Sequence, residues 1–65
     1  MNIQQRVEIA SMHLFFRPFT VMEILRTVNK YQPPVTVRQV LRVLCDMTRA
    51  GKLVQLALGK YEWKR

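Results

Sequence analysis

Apolar residues recur at helical spacing in three stretches of the chain. Their separations of three or four positions place them on one face of a helix in each stretch, with polar residues on the other face. The apolar faces comprise Ile3, Val7, Ala10 and Leu14; Val21, Ile24, Leu25 and Val28; and Val37, Val40, Leu41, Val43, Leu44 and Met47. The pattern predicts three amphipathic helices, over residues 3–15, 20–31 and 36–50.

The second and third predicted helices each begin at a capping box. Thr20 stands three positions before Glu23, and Thr36 stands three positions before Gln39. In such a box the threonine oxygen accepts a hydrogen bond from the amide of the later residue, whose side chain accepts one from the threonine amide. Both helix starts are therefore predicted at these threonines.

Proline and glycine mark the ends of the predicted helices. Pro18 follows the first helix, and Pro33 and Pro34 follow the second. Proline donates no backbone hydrogen bond and pushes the preceding residue towards extended geometry. Gly51 stands at the C-terminal cap expected for the third helix, where the left-handed conformation is common. The segment 15–19 leaves room for one short edge strand.

The residues from 53 to 64 predict a β-hairpin. Two short segments that suit strands flank a tight turn around Gly59. In the second segment, alternation puts Tyr61 and Trp63 on the face towards the core and the charged residues on the other. The first segment fits either orientation, so two pairs compete for its inner face: Leu53 with Ala57, and Val54 with Leu56.

The length and composition indicate one small packed domain over residues 1–65. A chain of 65 residues has room for a single thin core, and a hydrophobic content of 49% is too high for a disordered basic tail. One cysteine and one histidine exclude an intramolecular disulfide and a zinc site, so no metal or other cofactor is predicted. No export signal or apolar run of roughly 20 residues is seen, and a cytoplasmic location away from membranes is expected.

The charge of the chain is strongly positive and uneven. Eleven Lys and Arg against four Asp and Glu give a net charge of +7. Seven of the eleven cations, but only two of the four carboxylates, lie in residues 36–65. This excess favours a polyanionic partner that contacts the C-terminal half. Arg17, Arg26 and Lys30 lie outside that half and are expected to be solvated.

The order of helix, short extended segment, helix, helix and hairpin resembles a winged helix-turn-helix domain. The local pattern resembles the DNA-binding domain of ferric uptake regulators: Thr20, Glu23 and Ile24 match the start of its second helix. The matches to its third helix are Thr36, Val40, Arg42, Leu44, Met47 and Gly51. The resemblance covers residues 3–64 and implies an α+β fold in which three helices precede a two-stranded antiparallel wing. The metal ligands of that family are missing here, so iron sensing is not implied.

The resemblance also implies which residues touch DNA. The third helix becomes the recognition helix, and its N-terminal half enters the major groove. Arg38, Gln39 and Arg42 are then the candidates for base contacts, because arginine pairs with guanine edges and glutamine with adenine edges. The candidate phosphate contacts are Thr36, Arg49, Lys52, Lys60, Lys64 and Arg65. Among them, Lys60 is expected at the wing tip.

The expected function is sequence-specific binding of double-stranded DNA by a small transcriptional regulator of bacterial or phage type. No enzyme is predicted, because the four carboxylates show no paired spacing and no glycine-rich loop is present. The alternatives are a winged-helix module for protein–protein interaction and a non-specific architectural binder of nucleic acid. Since one small domain contacts little DNA, a homodimer or a partner protein is expected, through the first helix or through Phe15, Phe16 or Phe19.

Overall fold

The computed structural model of the protein describes residues 2–30 and 34–65. Within these ranges lie three helices and three strands. In chain order they are α1 (Ile3–Met12), β1 (Phe19–Thr20), α2 (Val21–Val28), α3 (Val37–Arg49), β2 (Leu53–Ala57) and β3 (Lys60–Trp63). The α+β class is confirmed, as is the order of three helices before a hairpin.

Each helix begins at a capping box. The Thr20 amide donates to Glu23 Oε1 over 2.9 Å, and the Thr36 amide donates to Gln39 Oε1 over 2.9 Å, as the sequence predicts. A third box, not predicted from the sequence, joins Asn2 to Gln5 at the start of α1. Local side-chain chemistry therefore sets all three helix starts.

Helices α1 and α2 end earlier than their apolar patterns predict. Helix α1 stops at Met12 instead of residue 15, and successive turns follow it. Helix α2 stops at Val28, because Asn29 takes the C-cap position and its side chain bonds both the N–H and the carbonyl of Val35. The predicted end of this helix at residue 31 lies outside the described residues. Helix α3 ends as predicted before Gly51, whose φ is +81°.

The three strands form an antiparallel sheet in the order β1-β3-β2. A short edge strand is present, as predicted, but it comprises Phe19–Thr20 instead of lying within residues 15–19, and it pairs Phe19 with Tyr61. Strand β2 pairs Leu53 with Trp63 and carries a bulge between Gln55 and Ala57. Strand β3 is thus central, and its pairing with β1 places the hairpin next to the N-terminus of α2.

The core lies between the three helices and the inner face of this sheet. Of the two pairs that the sequence left open for the inner face of β2, only Leu53 is buried, while Ala57, Val54 and Leu56 are all exposed. Phe19 is fully buried and stacks on Tyr61 at 6.5 Å between ring centroids, so Phe19 is not available as an exposed contact. Val37, which the helical pattern placed on the buried face of α3, is 41% exposed because it occupies the first helical position.

A hydrogen bond closes the core between the last strand and the first helix. Trp63 Nε1 donates to the carbonyl oxygen of Ser11 over 2.8 Å. Ser11 is itself fully buried, and its hydroxyl donates to the carbonyl of Glu8. The polar groups that this contact buries are therefore paired, which is the condition for tolerating them inside a small core.

Candidate nucleic-acid interface

Helix α3 turns a basic face towards solvent. Four buried residues hold its opposite side on the core: Val40, Val43, Leu44 and Met47. The outward side, called here the basic face, consists of Arg38, Gln39, Arg42 and Arg49, all of them exposed. The structure thus brings the three predicted base-contact residues and one predicted phosphate contact onto a single surface.

Arg38 and Arg42 project from this face with their guanidinium groups free. Among the residues that the structure describes, neither has an ion pair or a hydrogen bond from its side chain. They are one turn apart, which corresponds to about 6 Å along the helix axis. Each guanidinium therefore keeps its full set of donors, which is what bidentate recognition of a guanine edge or a phosphate requires.

Gln39 is partly occupied by its role in the capping box. The side-chain Oε1 of Gln39 accepts a hydrogen bond from the backbone amide of Thr36, and the backbone amide of Gln39 donates one to Thr36 Oγ1 over 3.1 Å. Only the Nε2 group of Gln39 remains for a base, which is half of the paired contact that glutamine makes to adenine. The box uses the backbone amides of Thr36 and Gln39, so Val37 and Arg38 carry the amides of this helix N-terminus that have no partner among the described residues.

Arg49 lies two turns beyond Arg42 and pairs with a neighbouring carboxylate. Its Nη1 is 3.5 Å from Asp46 Oδ1, and both side chains are more than half exposed. Water screens such a pair, so it is weak and a phosphate can compete for the arginine. Arg49 therefore stays available at the far end of the basic face.

Lys60 lies beside the hairpin tip and not on a free wing. The tip is formed by Leu58 and Gly59, while Lys60 opens β3 and faces Thr20 of β1 across the sheet. The carbonyl of Gly59 accepts a hydrogen bond from the Val21 amide over 3.0 Å. This bond holds the tip against the start of α2, and Lys60, exposed and next to the tip, stays a predicted phosphate contact.

The other predicted phosphate contacts gather at the opposite end of the hairpin. Lys52 and Lys64 are both exposed, and their backbones are joined by a hydrogen bond of 2.9 Å from the Lys64 amide. The guanidinium of Arg65 donates to the Phe16 carbonyl over 3.4 Å. Since β3 rises about 3.3 Å per residue, roughly 13 Å separate Lys60 from Lys64. The cations of the hairpin therefore form two separate groups.

Arg17 is 43% exposed, as expected of a solvated side chain, but it also forms an ion pair that the sequence does not predict. Its Nη2 is 2.6 Å from Glu23 Oε2, and its Nη1 donates to the Pro18 carbonyl. The hydrogen bond from Arg17, followed by that from the Thr20 amide, holds the pKa of Glu23 below its ordinary value. One cation is thereby neutralised beside α2, away from the basic face. In the sequence, the capping carboxylate Glu23 follows Arg17 by six residues, but this spacing alone does not predict an ion pair between them.

Cys45 is an exposed free cysteine on α3. Burial raises the pKa of the Tyr61 hydroxyl, and the nearby Cys45 thiol raises it further through its charge and a hydrogen bond. A thiol on α3 thus affects the ionisation of a tyrosine on the central strand β3.

Two findings bear on other classes of function. In residues 2–30 and 34–65, no three His, Cys, Asp or Glu side chains come close enough to hold a metal ion. No helix of these ranges is sufficiently long and apolar to cross a membrane.

Comparisons with protein-family models, with curated proteins and with solved structures found no match. Any function assigned to the chain therefore rests on its own residues and geometry.

Proposed function

We propose that the protein binds double-stranded DNA sequence-specifically, with α3 acting as a recognition helix in the major groove. The observation that carries this proposal is the pair of free guanidinium groups, Arg38 and Arg42, on the outward side of a helix whose other side is buried. A rigid helix that presents unpaired arginines is the arrangement used to read base edges.

The dimensions and polarity of α3 support this role. An α-helix with its side chains is about 10–12 Å across, and the major groove of B-DNA is about 12 Å wide. The free amides of Val37 and Arg38 lie at the helix N-terminus, where backbone N–H groups and the helix dipole favour a phosphate. The N-terminal half of α3 therefore offers base-reading and phosphate-holding groups side by side.

The remaining cations supply the contacts to the DNA backbone. Arg49 extends the basic face, and exposed lysines follow along the hairpin at Lys52, Lys60 and Lys64. With a net charge of +7, the chain gains counterion release on binding, so the affinity depends strongly on salt. Such a protein regulates transcription by occupying its site.

The test begins with selection of binding sites from a pool of random-sequence duplexes, followed by titration of the selected duplex at two salt concentrations. Arg42→Ala is expected to relax the preference at one base pair, with a loss of about 1–3 kcal/mol in discrimination. Arg26→Ala is the matched control, because Arg26 is an exposed arginine on α2 outside the basic face. It should leave the preference unchanged.

Two results would contradict the proposal in different ways. Failure to bind any duplex in a salt-dependent manner would eliminate DNA binding and turn attention to an acidic protein partner. Binding that persists, with an unchanged preference after joint replacement of Arg38, Gln39 and Arg42 by alanine, would indicate an architectural binder without base readout.

A further inference from the structure

We infer that the DNA site of this chain contains a short block rich in guanine, because the side chains that face the bases offer hydrogen-bond donors and no free acceptor. The inference rests on the proposed function and specifies its substrate. The side chains concerned, called here the reading surface, are those of Arg38, Gln39 and Arg42, all exposed in the first half of α3. In the major groove, guanine alone presents two acceptors, N7 and O6, without a donor beside them.

The two arginines of the reading surface can only donate. A guanidinium group carries five N–H donors and no acceptor. Neither the Arg38 nor the Arg42 side chain is bound to another of the described residues. One helical turn raises Arg42 above Arg38 by about 6 Å, which is roughly two base-pair steps of about 3.4 Å. The arginines therefore select guanines that lie within the same few base pairs.

The capping box makes Gln39 a donor as well. A free glutamine reads adenine by accepting from the N6 amino group and donating to N7. In this chain, however, Gln39 Oε1 accepts from the Thr36 backbone amide over 2.9 Å. The adenine amino group would then face Gln39 without an acceptor, and an unpaired polar group costs affinity. Gln39 Nε2 can still donate to N7 or O6 of guanine, so the cap favours guanine over adenine at this base pair.

The acceptors elsewhere on α3 are already engaged. Thr36 Oγ1 accepts from the Gln39 backbone amide over 3.1 Å. Asp46 is the one carboxylate of α3 and lies in the second half of the helix, where its Oδ1 is 3.5 Å from Arg49 Nη1. Cytosine presents only an amino donor in the major groove, so the reading surface offers it no partner. The expected order of preference at the Gln39 base pair is therefore guanine first and cytosine last.

Selection from random-sequence duplexes, followed by replacement of single atoms in the selected guanines, tests the inference. The selected site should hold guanine at two or more positions within about three base pairs. Replacing one of these guanines by 7-deazaguanine removes N7 and should lower the affinity about three- to tenfold, because one bond of a paired contact is lost. Hypoxanthine is the matched control, since it keeps N7 and O6 and lacks only the minor-groove amino group. It should leave the affinity nearly unchanged.

Gln39→Glu tests the role of the capping box. The variant keeps an acceptor for the Thr36 amide and puts a second acceptor where Gln39 has a donor. Repeated selection should shift the preference at one base pair from guanine to cytosine, whose amino group donates to a carboxylate. Gln5→Glu is the matched control, because Gln5 is exposed and holds the same place in the capping box of α1, where its Oε1 accepts from the Asn2 amide over 3.2 Å. It adds the same charge and should leave the selected site unchanged.

The outcomes distinguish this inference from the proposed function. A selected site without guanine in the block, or with adenine at the base pair that Gln39→Glu alters, would overturn the inference while sequence-specific binding stands. Equal losses for 7-deazaguanine and hypoxanthine would place the contacts outside the major groove and overturn it too. Absence of salt-dependent binding to every duplex would overturn the proposed function itself, and this inference with it.

Discussion

Glu23 performs two tasks with one carboxylate. Its Oε1 accepts from the Thr20 amide and caps α2, while its Oε2 accepts from Arg17. The first task is local, since three positions separate the partners, and the second joins the segment before β1 to the helix after it. The matching position in α3 holds Gln39, which caps in the same way without an ionic partner. Comparing Glu23 with Gln39 therefore distinguishes the effect of capping from that of the ion pair.

Glu23→Gln should remove the acid-sensitive part of the stability that this residue supplies, while keeping most of the cap. Because the pKa of Glu23 is lowered in the folded protein, its contribution is present above the ordinary value of 4.5 and is lost as the pH falls through the lower folded pKa. Thermal melts across the acidic range should therefore show a flatter decline for the variant.

Glu62→Gln provides the control, because Glu62 has no ion pair among the described residues. It should reproduce the acid limb of the wild type. An acid limb for Glu23→Gln as steep as that of the wild type would mean that Arg17 contributes nothing through this contact.

At the scale of elements, the capping box of α3 determines both where the helix begins and how its basic face is oriented. The side chains of Thr36 and Gln39 each accept a hydrogen bond from the other residue's backbone amide. These bonds fix the first turn of α3, from which Arg38 projects. Sequence spacing alone predicted this arrangement. It did not show that capping draws the Gln39 oxygen away from a base.

Thr36→Ala and Gln39→Glu should separate the two roles of this turn. Thr36→Ala removes the capping oxygen and should lower the free energy of unfolding by about 1 kcal/mol, measured by urea titration. Gln39→Glu keeps an acceptor for the Thr36 amide, as Glu23 does in α2, so the stability should be nearly unchanged. Its added negative charge should nonetheless weaken DNA binding.

Thr27→Ala is the control for the loss of a threonine, because Thr27 is exposed within α2 and its hydroxyl donates to the Glu23 carbonyl of the same helix. A change within about 0.5 kcal/mol is expected there. Equal DNA affinity for Gln39→Glu and the wild type would exclude Gln39 from the contact surface.

At the scale of the whole molecule, the structure separates the cations into groups with different surroundings. Three arginines lie on α3, Lys60 stands beside the hairpin tip, and Lys52 and Lys64 lie at the hairpin base. With principal extents of 30 × 20 × 20 Å, one chain spans about one turn of B-DNA at most. If α3 binds DNA as proposed, only the cations on the same side of the molecule as α3 can contact phosphates together.

The salt dependence of DNA affinity should reveal which hairpin group participates. Each phosphate contact contributes a slope of about −0.9 in log affinity against log salt. If the tip faces DNA beside α3, Lys60→Ala should reduce the slope by about one such contact while leaving base preference intact. Lys64→Ala tests the base of the hairpin in the same way.

Arg26→Ala, on α2, should leave the slope unchanged. Unaltered slopes for both lysine variants would show that the hairpin takes no part in binding and that α3 alone carries the charge contacts.

The sequence by itself determined the features that depend on near neighbours. Two of the three helix starts, the glycine after α3, the buried stripe of α2 and the strand face shared by Tyr61 and Trp63 all follow from spacing within one element. Capping and amphipathic burial involve residues close in the chain, so their signals are local.

Only the tertiary structure decided what distant residues do to one another. Phe19 is buried because β1 pairs with β3, and the hairpin tip is held because the Gly59 carbonyl accepts a hydrogen bond from the Val21 amide. The Trp63 indole donates a hydrogen bond to the Ser11 carbonyl, 52 positions away in the chain. The exposure of Ile9 and Met12 depends likewise on which face of α1 the other elements cover. Contacts of this kind depend on how the elements dock, and no spacing within one segment encodes that.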